Sequence, residues 1–122
     1  MTAQALSVTS QNLGNDGIVM LTVAGPLDSH TYNTLESKLD RLIHHGDARI
    51  IIDLAGVDYL STAGVRVFLT ARAKARHENG SVVLLSLSEQ ATQVVDTLQI
   101  RENLNIARDL PDAMEMVNRP AA

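Results

Sequence analysis

The middle of the chain reads IIDLAGVDYLSTAGV from Ile51 to Val65. Within and beside it, Ile50–Leu54 is short, rich in β-branched residues and bounded by turn residues, which predicts a buried β-strand. The segment Ala55–Leu60 then leads to two hydroxyl residues, Ser61 and Thr62, in front of a helical pattern. The stretch therefore predicts a strand whose following loop brings hydroxyl groups to the start of a helix.

Strands and helices alternate on both sides of this stretch. Upstream, strands are predicted at 5–13 and 18–24, with a hairpin turn signal at 15–17, and a helix follows that ends at 44–46. Downstream, the patterns predict a helix at 63–79, a strand at 82–85, a helix at 89–98, a strand at 104–107 and a last helix after 109, with a frayed tail at 118–122. The order β-β-α-β-α-β-α-β-α predicts an α/β fold with a mixed, mostly parallel sheet of about four to five strands and about four helices.

Short polar residues stand in front of each predicted helix. A side-chain oxygen at this position accepts a hydrogen bond from one of the free N–H groups of the first turn. The expected caps are Asp28 or Ser29, Ser61 or Thr62, Ser88, and Asp109. From position alone, capping outweighs a functional role for the hydroxyls of Ser61 and Thr62.

The composition excludes several classes of function. The chain has 122 residues, a net charge of −4, no cysteine, no tryptophan and only two tyrosines and one phenylalanine. Without cysteine there is no disulfide, no thiolate nucleophile and no cysteine-ligated metal. An acidic chain with few aromatic residues also lacks the features of a nucleic-acid binder.

The length and the apolar pattern of the chain indicate its number of domains and its compartment. One domain is expected over 1–122, with an ordered core at about 5–118, because domains commonly have about 100–200 residues. The first residues lack the basic and apolar regions of a signal peptide, and no apolar run approaches the roughly 20 residues that cross a bilayer. We therefore expect a cytoplasmic protein with no direct membrane insertion.

The residues that could indicate catalysis, metal binding or phosphate binding do not form the patterns that these functions require. Asp53 and Asp58 have no activated nucleophile beside them, and aspartates at strand ends and in loops more often make turn hydrogen bonds. His44 and His45 are adjacent on a helix, where neighbouring side chains point about 100° apart and cannot chelate one ion. No glycine spacing matches a phosphate-binding loop. We expect no enzymatic activity, no metal and no cofactor.

A helix start is also a place where a phosphate is tolerated. Its free N–H groups and the positive end of its dipole favour negative charge. On this hypothesis Gly64 keeps the surface low beside the hydroxyl of Thr62, and Arg66, four residues later, can pair with a phosphate. Because a phosphoryl group adds about −1.5 to −2 charges, it would repel a docked partner. A phosphorylation switch is therefore the functional alternative to capping.

Taken together, these motifs resemble a STAS domain, the family named for sulphate transporters and anti-sigma-factor antagonists. The resemblance covers nearly the whole chain and is carried by Asp53-Leu54, by Val57–Leu60 and by Ser61–Val65 opening a helix. In the anti-sigma-factor antagonists the phosphorylated residue lies two positions before the motif's glycine, which is Thr62 here. Well-studied members have Asp where this chain has Ser61, and the acceptor is commonly Ser, so Ser61 is the fallback acceptor.

The resemblance implies a partner-switching cycle. The unphosphorylated domain would bind an anti-sigma factor, usually a serine/threonine kinase of the histidine-kinase-like ATPase type, and thereby release the sigma factor. Phosphorylation at Thr62 would end the complex and a PP2C-type phosphatase would restore it, with ATP and Mg²⁺ belonging to the kinase. The implied partner-binding residues are Asp28, Asp58, Tyr59, Ser61, Thr62, Ala63, Gly64, Arg66 and Thr70. For the ring of Tyr59, partner anchoring and packing are equally good interpretations.

Two other hypotheses stay open. One is a STAS domain in a different assembly, either a signalling scaffold or the subunit of a lipid-transport ABC complex. The other is a small nucleotide-binding protein, for which the sequence offers neither a phosphate cradle nor a nucleophile and base. Recovery of a histidine-kinase-like ATPase, of transporter subunits, or of bound nucleotide distinguishes the three.

Overall fold

The sheet is the centre of the computed structural model, which describes residues 5–14 and 17–119. Its strands are β1 (Ser7–Leu13), β2 (Ile18–Ala24), β3 (Arg49–Gly56), β4 (Ser81–Leu85) and β5 (Asn105–Ala107). The strands lie side by side in chain order. β1 runs antiparallel to β2, and every other neighbouring pair is parallel. The prediction of a mixed, mostly parallel sheet is confirmed.

Four α-helices occur within the described ranges and alternate with the strands as predicted. They are α1 (Tyr32–His44), α2 (Thr62–His77), α3 (Glu89–Thr97) and α4 (Leu110–Val117), with one 3-10 turn at Arg101–Asn103. The β-β-α-β-α-β-α-β-α order is therefore confirmed. No helix in the described ranges has the length and apolar character needed to cross a membrane.

The helices cover both faces of the sheet, and the central strand shows why. Ile50, Ile51 and Ile52 are all fully buried, although successive side chains on a strand point to opposite faces. Ile50 and Ile52 join the larger core cluster with α1, α2 and α3, whereas Ile51 joins the smaller one with α4. A strand buried on both sides needs a continuous apolar run, which is what the sequence showed.

Two of the predicted caps form. The Oγ atom of Ser88 accepts a hydrogen bond from the N–H of Ala91 at 3.1 Å, at the start of α3. At the start of α4, Oδ1 of Asp109 accepts from the N–H of Asp112 at 2.9 Å. These side chains satisfy donors that the helices themselves leave free.

The start of α1 differs from the prediction. Thr31 occupies the N-cap position, and neither Asp28 nor Ser29 caps the helix directly. Asp28 instead organises the preceding turn, because its Oδ1 accepts from the N–H groups of His30 (2.8 Å) and Thr31 (3.2 Å). The Thr31 hydroxyl donates to the carbonyl of Pro26 at 2.7 Å. A tight turn therefore separates β2 from α1.

Element boundaries differ from the predicted ones by a few residues. β3 continues through Gly56, and α2 ends at His77 before Asn79, which has a positive φ of 60°. Leu13 of β1 pairs with Ile18 of β2, as a hairpin requires. Asn15 and Asp16 of the predicted turn, and 120–122 of the predicted tail, lie outside the described residues.

Candidate functional site

The loops that follow β2 and β3 are joined at the carboxyl edge of the sheet. The N–H of Leu27 donates to the carbonyl of Tyr59 at 2.9 Å, and the N–H of Ser61 donates to the carbonyl of Leu27 at 2.9 Å. Leu27 and Leu60 thus form an isolated parallel bridge beyond the ends of their strands. Parallel α/β sheets place their binding sites at this edge.

A glutamine on α3 holds the same segment from the other side. Oε1 of Gln90 accepts from the N–H of Leu60 at 2.8 Å, and Nε2 of Gln90 donates to the carbonyl of Leu60 at 2.9 Å. The loops after β2 and β3 and the first turn of α3 therefore meet at Leu60. Gln90 is not among the residues predicted from the sequence, because nothing in the local pattern of a first helical turn marks a glutamine for a contact with Leu60.

The two candidate acceptors lie in different surroundings. Ser61 is the N-cap residue of α2 in an extended conformation (φ −102°, ψ 174°), but its side chain makes no capping hydrogen bond. Its Oγ atom is buried and has no hydrogen-bond partner among the described residues. Thr62 is exposed and is already the first residue of the helix. The expectation that one of these hydroxyls caps α2 is wrong.

Free backbone donors surround Thr62. The first hydrogen bond within α2 runs from the N–H of Val65 to the carbonyl of Ser61, at 3.1 Å. The N–H groups of Thr62, Ala63 and Gly64 therefore precede the helical ladder, as at any helix start. With no side chain capping it, this end of α2 keeps its partial positive charge.

Gly64 has a different role from the one expected. It is buried, so it does not form a low surface beside Thr62. A Cβ atom built on Gly64 would lie 2.6 Å from Cδ1 of Leu60 and 2.8 Å from Cγ of Leu27. The glycine instead allows α2 to approach the bridged leucines closely.

The remaining predicted contact residues fall into two groups. Asp58 and Tyr59 are exposed in the loop before Thr62, and 49% of Tyr59 is accessible. Arg66 is exposed one turn into α2, where it lines a shallow groove with Ser29, Tyr32, Glu36, Ala63 and Val67. Within the described part of the chain, Arg66 forms no ion pair.

Thr70 and Asp28 are less accessible to a partner than the sequence suggested. Thr70 is half-buried beside α1, next to Glu36 and Leu39, and does not join the loop residues at the edge of the sheet. Asp28 is half-buried, with its carboxylate engaged in the turn before α1. Asp53 is similarly occupied, because its Oδ1 accepts from the N–H of Ala55 at 3.0 Å. The described residues contain no cluster of three or more potential metal ligands.

Comparison with known proteins assigns the family. The model of the STAS domain matches residues 10–113. A candidate anti-sigma factor antagonist called BtrV, from Bordetella bronchiseptica, is 31% identical over 81 residues, which cover 66% of this chain and 70% of BtrV. The chain therefore belongs to the STAS domain family, and its relatives include anti-sigma factor antagonists.

Solved structures agree on the fold. An anti-sigma factor antagonist from Mycobacterium paratuberculosis superimposes with a TM-score of 0.81 at 18% identity, covering 93% of this chain and 95% of the other. The Bacillus cell fate determinant SpoIIAA in its phosphorylated form gives a TM-score of 0.67 at 18% identity, covering 90% and 98%. The five-stranded sheet with its four helices is thus the STAS fold.

Proposed function

We propose that this protein is an anti-sigma-factor antagonist controlled by phosphorylation of Thr62. Its unphosphorylated form binds an anti-sigma factor that is also a serine/threonine kinase of the histidine-kinase-like ATPase type, and so releases the sigma factor. Phosphorylation ends the complex, and a PP2C-type phosphatase restores it. The names of the relatives support binding to an anti-sigma factor, since these proteins are called anti-sigma factor antagonists.

The observation that carries the proposal is the exposed Thr62 at the first position of α2. A phosphate there meets the N–H groups that precede the helical ladder and the positive end of the helix dipole. Arg66 lies one turn further on, is exposed and can approach the phosphate at the four-residue spacing. The added charge is therefore compatible with the fold.

The surroundings of Thr62 explain how a phosphate would act on a partner. Asp58 and the ring of Tyr59 are exposed just before it, and tyrosine is enriched among the residues that dominate the binding energy of interfaces. A doubly charged group beside such an anchor costs desolvation and repels acidic groups of the partner. Ser61 suits the role less well, because its Oγ atom is enclosed.

The acceptor is tested by phosphorylation with matched variants. The cognate histidine-kinase-like ATPase and Mg-ATP are incubated with the unaltered chain, with Ser61→Ala and with Thr62→Ala, and the phosphate is mapped by mass spectrometry. We expect one phosphate on the unaltered chain and on Ser61→Ala, and none on Thr62→Ala. A phosphate on Thr62→Ala would move the acceptor elsewhere and contradict the proposal.

Binding is tested separately with a charge variant. Thr62→Glu should lose most of its affinity for the same kinase while its melting temperature changes little, because a helix start tolerates negative charge. Thr9→Glu is the control, since it adds the same charge at an exposed threonine on β1, away from any helix end. Equal binding by the two variants would show that Thr62 is not in the interface.

A further inference from the structure

We propose that Gln90 is a positioning residue for Thr62, fixing the backbone that presents its hydroxyl to the kinase. This inference rests on the proposed function of Thr62. The carboxamide of Gln90 makes two hydrogen bonds with the backbone of Leu60. It accepts from the N–H at 2.8 Å and donates to the carbonyl at 2.9 Å. An amide side chain can do both at once because it carries a donor and an acceptor.

The contact between Gln90 and Leu60 lies two residues before Thr62 and therefore affects how Thr62 is held. Only Ser61 separates Leu60 from Thr62, and the side chain of Ser61 makes no hydrogen bond that would hold the segment. On one side the segment is held by the bridge to Leu27, through the carbonyl of Tyr59 and the N–H of Ser61. On the other side the side-chain hydrogen bonds come from Gln90.

Gln90 is itself well fixed. It is half-buried in the first turn of α3, between the capping residue Ser88 and the buried Ala91, whose N–H bonds to the cap at 3.1 Å. A side chain anchored in a capped turn loses less freedom when it binds the loop. The start of α3 is thereby linked to the start of α2 through a single residue.

Two variants of nearly the same size separate the two hydrogen bonds. Gln90→Glu keeps the acceptor for the N–H of Leu60 but replaces the donor with a second carboxylate oxygen, which would face and repel the carbonyl oxygen of Leu60. Gln90→Met removes both hydrogen bonds. Gln93→Glu is the control, because Gln93 is exposed on the same helix and the change in charge is the same.

The first measurement is amide hydrogen exchange at Leu60, which needs no kinase. Loss of the hydrogen bond in Gln90→Met should accelerate exchange roughly 2- to 12-fold, whereas Gln93→Glu should leave exchange at Leu60 unchanged. Exchange within α3 should stay as in the unaltered chain. Unchanged exchange at Leu60 in Gln90→Met would overturn the inference.

The second measurement is steady-state phosphorylation of Thr62. Positioning predicts that kcat falls in both Gln90→Glu and Gln90→Met relative to the unaltered chain, while KM changes by less than about twofold because the docking residues remain. Equal kcat values for the Gln90 variants and Gln93→Glu would overturn the inference. If the unaltered chain is not phosphorylated at Thr62, the proposed function and the positioning role built on it both fail. Faster exchange at Leu60 in Gln90→Met would still show that Gln90 holds Leu60 in solution.

Discussion

Replacing Ser61 by alanine distinguishes two opposite accounts of the start of α2. If the Ser61 hydroxyl capped the helix, its removal would destabilise the protein by about 0.5–2 kcal/mol. In the structure the Oγ atom is buried, makes no capping hydrogen bond and has no partner among the described residues. A buried hydroxyl without a partner costs about 1–3 kcal/mol of desolvation free energy. Ser61→Ala should therefore leave the free energy of unfolding unchanged or raise it by about 1 kcal/mol.

The chain provides a matched control in Ser88→Ala. Ser88 is also an N-cap serine in an extended conformation, but its Oγ atom accepts from the N–H of Ala91 at 3.1 Å. Loss of that hydrogen bond should cost about 1 kcal/mol. Urea unfolding of the two variants and the unaltered chain gives both values, provided that the slope against urea concentration is the same for all three.

The sign of the Ser61→Ala result decides between the two accounts. A loss of about 1 kcal/mol, equal to that of Ser88→Ala, would mean that the hydroxyl turns towards the helix and caps it in solution. The start of α2 would then be capped, and the Ser61 hydroxyl would offset part of its positive charge. A gain or no change, beside a clear loss for Ser88→Ala, supports an uncapped, electropositive helix start.

Three further substitutions test the packing, the caps and the surface charges. Gly64→Ala should lower the free energy of unfolding by about 1 kcal/mol. A methyl group 2.6 Å from Cδ1 of Leu60 costs about 1–3 kcal/mol of overpacking, and the gain in helix propensity offsets about 1 kcal/mol of it. A higher free energy of unfolding, measured with urea, would refute the close contact. Asp109→Ala should lose about 1 kcal/mol with its cap, and Asp109→Asn should lose much less, by the same measurement. Lys74→Ala should cost under about 1 kcal/mol and even less at high salt, because its ion pair with Asp40 is nearly half exposed on both sides; a large, salt-independent loss would contradict this.

The order of elements could be predicted from the sequence because burial leaves a local pattern. The short, β-branched run Ile50–Leu54 predicts a strand covered on both faces. Ser88 and Asp109 each precede a helix and accept a hydrogen bond from one of its free N–H groups. The exposed position of Tyr59 before Thr62 was one of two interpretations that the sequence allowed.

What the sequence could not show depends on residues far apart in the chain. Gln90 binds Leu60, 30 positions earlier, and nothing in its local pattern marks it for this contact. The burial of Gly64 depends on Leu27, which reaches it only because the loops after β2 and β3 are bridged. The uncapped, buried hydroxyl of Ser61 was likewise not predicted, because an N-cap serine in an extended conformation ordinarily caps its helix.

The close contact of Gly64 with Leu27 and Leu60 restricts the proposed switch at Thr62 to one that leaves the backbone in place. Helix α2 has no space to slide or tilt towards the loops, and the loops are bound to each other through their backbones. Such a surface is preorganised, so a partner binds it without the entropy cost of ordering a segment. A phosphate on Thr62 would then act by its charge and size on a rigid template, and the backbones of the two forms should superimpose.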